Sequence, residues 1–135
     1  MTSLQYIYLY LLTVPVFFII DMLWLGLIAR PFYQKHLEYL LGPVQWLPAI
    51  ILYLILIIGV IFFAVAPNLA EGSLLRVLAF GALFGFCAYA AYDLTTLATL
   101  KEWPLVVTLV DMAWGTFICA TVGGASYVIG RALFF

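Results

Sequence analysis

Apolar residues fill four long stretches of the chain, at about 5–30, 44–66, 74–100 and 104–133. Each is long enough to cross a bilayer as a helix, which takes roughly 20 residues at about 1.5 Å per residue. The breaks between them are short and polar: Arg30-Pro31 and Gly42-Pro43, then Pro67-Asn68 with Glu71-Gly72-Ser73, then Lys101-Glu102-Trp103-Pro104. Short connections join antiparallel neighbours, so the pattern predicts an up-and-down bundle with both termini on one side. Pro15 should bend the first span, whereas Pro48 falls in the first turns of the second, where proline is tolerated. Residues 32–41 set Phe32, Leu37, Leu40 and Leu41 at near-helical spacing among polar residues, which predicts a short interfacial helix between spans one and two. The expected fold is therefore all-α, an integral membrane four-helix bundle forming one transmembrane domain over residues 1–135.

Composition sharpens this picture. With 68% of its 135 residues hydrophobic and 8% charged, the chain lies far outside the range of soluble domains. The first apolar run, Tyr6 to Ala29, contains Asp21 and lacks the basic flank and small-residue cleavage site of a signal peptide, so it is expected to stay as a span. A net charge of -1 without any basic run gives no support to nucleic-acid binding. Cys87, Cys119 and a single histidine have no metal-ligand spacing, so neither a metal nor another cofactor is expected. Gly81 with Gly85, and Ala120 with Gly124, are small residues one helical turn apart and predict close helix packing. Arg30, Lys35 and Lys101 fall at one end of the bundle and Arg76 and Arg131 at the other; the end with three is expected to be cytoplasmic.

The exceptions to this apolar pattern carry the candidate chemistry. Asp93 and Asp111 are about equally far from the turn at 101–104 and so lie at one depth on antiparallel helices. Counted along the helices, Asp21 and Tyr53 lie roughly 13 Å from that end, and Asp93 and Asp111 roughly 10 Å. Tyr89, Tyr92, Thr95, Thr96, Trp24 and Trp114 fall within a turn or two of this layer, and the connection holding Tyr33, Lys35 and His36 can cover it. Duller roles compete for some of them. Trp46 and Trp103 suit interface anchors, Thr95 and Thr96 can bond back to their own helix, His36 suits an exposed loop, and Asp21 can pair with Arg30. No basic residue lies at the depth of Asp93 and Asp111, so a structural ion pair does not explain them. Three acids in such surroundings are not all ionised at neutral pH, and at least one is expected to keep its proton and donate a hydrogen bond to an ionised neighbour. Asp21-Met-Leu-Trp24 is echoed by Asp111-Met-Ala-Trp114, each placing its acid and tryptophan on one helix face. The candidate ligand-binding set is Asp21, Trp24, Tyr53, Tyr89, Tyr92, Asp93, Thr96, Asp111 and Trp114.

The run from Tyr92-Asp93-Leu-Thr-Thr to Glu102-Trp-Pro, followed by Val110-Asp-Met-Ala-Trp-Gly, resembles the DUF2177 family of small bacterial membrane proteins. Asp21-Met-Leu-Trp-Leu-Gly, Phe32-Tyr33 and the region from Trp46 to Tyr53 extend the resemblance over nearly the whole chain. Ala91 and Thr96 depart from the family pattern, which has Thr and Asn there. The resemblance implies four spans in the inner membrane of a bacterium, and it names no activity. A fainter likeness, in Pro15 followed by Asp21 and in Leu94-Thr95-Thr96, is to the four-span EXPERA group and implies an intramembrane carboxylate pocket for an amphiphile.

Three functions fit these residues. The pocket can bind a lipid-like or amphiphilic small molecule and process it by acid-base chemistry, with Asp93 and Asp111 as the proton-transferring pair. The chain can be a proton-coupled transporter of a small molecule or cation, acting as an oligomer. It can also be an accessory subunit of a larger membrane complex, its polar layer holding the helices together. Expected partners are membrane lipids, an amphiphilic small molecule, and a second copy or a larger complex.

Overall fold

The computed structural model describes residues 2–43 and 45–135. They form four long helices: α1 Ser3–Leu37, α2 Trp46–Leu69, α3 Leu74–Thr99 and α4 Leu105–Phe134, each long and apolar enough to cross a membrane. No strand occurs among the described residues. The all-α membrane bundle of the hydropathy pattern is thus the fold, and the protein is an integral membrane protein.

Local chemistry sets the helix ends. Thr2 caps α1 in a reciprocal capping box with Gln5, and the Ser73 hydroxyl accepts the Arg76 amide at the start of α3. Glycine supplies the left-handed turn before α3, at Gly72 with φ +73°. Glu102 takes the corresponding position before α4, with φ +62°.

The expected break at Arg30-Pro31 is absent. The separate interfacial helix expected over residues 32–41 is instead a helix over Arg30–Leu37 that continues α1 directly. Its last residue is Leu37, and a turn rather than helix occupies residues 38–40. Over Leu25–Ala29 the helix widens into a π turn, in which the Arg30 amide reaches back to the Leu25 carbonyl. The wider turn shifts the hydrogen-bond register just before Pro31, and the proline then starts a new α segment, where its missing N–H costs little. The same device recurs in α2, where a π turn at Ile61–Val65 precedes Pro67.

Packing divides the bundle into two halves. Leu9, Phe17, Ile57, Val60, Ile61, Val65, Leu69, Ile118 and Val122 form a tightly filled half near the termini. Its main polar contact joins α1 to α4: the Thr13 hydroxyl donates to the Leu9 carbonyl at 2.7 Å and lies 2.9 Å from the Ser126 hydroxyl. Helices α3 and α4 approach most closely. A Cβ at Gly81 would stand 2.8 Å from the Cys119 carbonyl oxygen, and one at Gly85 would run into the Gly115 carbonyl. Large apolar side chains such as Ile19, Leu27, Phe63 and Leu75 cover the outside, as a lipid-facing surface requires.

Candidate carboxylate pocket

The other half of the bundle is hollow. A cavity of about 1500 Å³ is lined by all four helices and by the connection between α1 and α2. Asp21, Asp93 and Asp111 all line it, carried by α1, α3 and α4. Each acid is held differently. Asp21, 3% exposed, accepts the Trp114 indole N–H on Oδ1 at 3.3 Å, while its Oδ2 is buried without a partner. Asp111 accepts the Tyr33 hydroxyl on Oδ1 at 2.6 Å. Asp93 is fully buried, and neither of its oxygens has a hydrogen-bond partner. Asp111 is close enough to both of the others to interact with them electrostatically.

Aromatic rings make the walls. Trp24 and Trp114 stack face to face, centroids 4.4 Å apart and planes 7° from parallel. The repeated acid-tryptophan pattern therefore becomes one physical unit, in which the two tryptophans meet and Trp114 of α4 bonds Asp21 of α1. Tyr53 wedges its ring against Phe17 and Phe18, which sets its hydroxyl toward Asp21. Tyr89 fills the space left by Gly115, where a Cβ would strike its ring. Tyr92 lines the opening and is largely exposed. Outside the Trp24–Trp114 pair lies a second, wholly apolar groove of about 220 Å³ on the lipid face, between α1 and α4. The stacked pair is the partition between groove and pocket.

The structure brings together eight of the nine candidate residues as pocket lining: Asp21, Trp24, Tyr53, Tyr89, Tyr92, Asp93, Asp111 and Trp114. Thr96 stands apart. Its hydroxyl donates to the Tyr92 carbonyl at 2.7 Å, satisfied by its own helix, as the duller reading of this residue expects. Among the described residues Asp21 makes no ion pair with Arg30; the Trp114 indole takes that place. Lys35 and His36 lie outside the lining, His36 packing on Phe32 at 4.7 Å. Trp46 and Trp103, expected as anchors, line the mouth, and the Trp103 indole donates to the Thr108 hydroxyl at 3.0 Å.

Tyr33 is the residue the sequence set omits. Arg30, Tyr33, Gln34 and Leu37 line the cavity at the spacing of one helix face. The extension of α1 therefore covers the cavity with that face. The Tyr39 hydroxyl donates to the Glu102 backbone carbonyl and ties this cover to the α3–α4 turn. Among the described residues no group of three His, Cys, Asp or Glu side chains is arranged to hold a metal ion.

The same residues decide the kinship. The family model for DUF2177, described as a predicted membrane protein, matches residues 6–128. The chain belongs to this family. No curated protein and no solved structure matches it. The DUF2177 match spans all three acids, the stacked tryptophans and Tyr33, so the whole pocket lies within the family's own extent.

Proposed function

We propose that this DUF2177 protein binds a lipid-like amphiphile in the membrane of a bacterium, the polar end on the acid layer and the apolar part against the aromatic walls. The observation that carries this reading is the set of three carboxyl oxygens, Asp21 Oδ2 and both of Asp93, buried without partners in the lining of a large cavity. An unpartnered acid in a membrane interior costs several kcal/mol, about 2.5–3.5 on insertion scales, and such residues mark functional sites. The volume suffices for a molecule with a head and a chain, since ligand pockets run to about 300–1,000 Å³.

The alternatives have less support. A transport path has to reach the other face, yet the half near the termini is closed by Phe17, Ile57, Val60 and Val122. Polar groups that only glue helices together satisfy one another, and here they leave acceptors over. Acid-base processing fits the same site, because the Tyr33 hydroxyl, Asp111 and the neighbouring Asp93 are set to pass a proton to or from a bound head group. Gentle purification followed by mass spectrometry of the retained small molecules tests the reading. The wild-type protein should keep an amphiphile in near-stoichiometric amount, and Asp93→Asn should lose most of it. Equal retention by both would contradict the assignment.

A further inference from the structure

We infer that the ligand's head is a primary ammonium, a cation rich in N–H donors, and that a quaternary ammonium is refused. This rests on the amphiphile-binding reading and adds the chemistry of the head. The first ground is the balance of donors and acceptors. An ionised carboxylate only accepts hydrogen bonds, and three of the acid layer's oxygens accept none. Four of the protein donors nearby are committed, the Tyr33 hydroxyl to Asp111, the Trp114 indole to Asp21, the Trp103 indole to Thr108 and the Tyr39 hydroxyl to the Glu102 carbonyl, and the Tyr53, Tyr89 and Tyr92 hydroxyls of the lining bond none of these three oxygens. Arg30 lines the mouth, exposed, and makes no ion pair among the described residues. No protein donor bonds Asp21 Oδ2 or either oxygen of Asp93, and a ligand rich in N–H groups supplies what they lack.

The second ground is charge. Asp93 and Asp111 lie side by side on adjacent helices, so a positive group placed at Asp93 offsets their mutual repulsion, whereas a hydroxyl head supplies a donor without that compensation. A primary ammonium brings one positive charge and three N–H donors. The third ground concerns shape. Quaternary ammonium groups are held over the open faces of aromatic rings. Trp24 and Trp114 turn their inner faces on each other at 4.4 Å, so those two faces are closed to a cation. A trimethylammonium also has no N–H and would leave the Asp93 oxygens as unpartnered as before.

The test uses three probes with the same chain, dodecylamine, dodecyltrimethylammonium and dodecanol, titrated into the full-length protein in lipid nanodiscs. Dodecylamine should bind at least about tenfold more tightly than either of the others, the yield of one charge-assisted hydrogen bond. Asp93→Asn, which keeps the shape of the side chain, should remove that advantage. If Asp93→Asn does not fold, Asp111→Asn serves with the same expectation. Equal or tighter binding of the trimethylammonium probe, or discrimination that survives the substitution, overturns the inference. Binding of dodecanol alone overturns the cationic head while leaving the amphiphile pocket standing. Binding of none of the three overturns both.

Discussion

Replacing Gly85 by leucine should prevent the α3–α4 pair from closing and leave little folded protein. Overpacking costs about 1–3 kcal/mol and occasionally more, the smaller values arising where flexible side chains can give way. At Gly85 the obstacle is the Gly115 carbonyl, with the Cys119 Cβ 2.7 Å from where the new Cβ would stand. Backbone cannot rotate aside, and close packing of helices is the main attraction between them in lipid, where apolar burial contributes no driving force. We expect a loss of about 3 kcal/mol or more, at the upper end of the overpacking range. Thermal unfolding in mild detergent reads it directly. Gly42→Ala is the control: nothing lies within 4 Å of its new Cβ, so its effect should stay within about 0.5 kcal/mol. Gly115 also makes room for Tyr89, so the close approach that sets helix spacing sets the pocket wall as well.

Asp93→Leu should act in opposite directions on stability and on binding. A buried acid without partners opposes folding, and replacing buried ionic groups by apolar ones is often neutral or stabilising by about 1–4 kcal/mol. The ligand-free variant should therefore unfold at the same temperature as wild type or higher. A bound ligand stabilises wild type by about 2.7 kcal/mol at a hundred times its Kd, and this increment should vanish in the variant. An acid that served to hold the bundle together would behave otherwise, and its removal would destabilise the ligand-free protein. Melting curves of both proteins with and without amphiphile separate the two roles.

Much of this architecture is legible in the order of residues because a bilayer leaves few options. Backbone groups in lipid have to pair within their own segment, so long apolar runs become helices and short polar breaks become turns. Depth is then arithmetic, and it places Asp21, Tyr53, Asp93 and Asp111 in one layer before any contact is known. Rotation about each helix axis is less legible, because nearly every face of these helices is apolar and periodicity carries little information. That is why Thr96, at the right depth, lies outside the pocket with its hydroxyl on the Tyr92 carbonyl. Pro31 misleads for a different reason. Proline ordinarily ends a helix, and the π turn that lets α1 run through it has no sequence mark of its own. Once α1 continues, Tyr33 swings onto Asp111, a contact between residues 78 apart in the chain that local pattern does not reveal.

The proposed amphiphile site lies in the hollow half of the bundle, with the polar end of the ligand on the acids. Photolabelling tests it most directly, using an alkylamine with a diazirine beside its head group, irradiated with the protein in nanodiscs and mapped by peptide mass spectrometry. The structure predicts adducts on lining residues such as Tyr33, Tyr53, Tyr89 and Trp114, suppressed by excess unlabelled amine and lost in Asp93→Asn. Adducts confined to outward-facing residues such as Ile19, Leu75 and Leu83, unaffected by competitor or substitution, would contradict it.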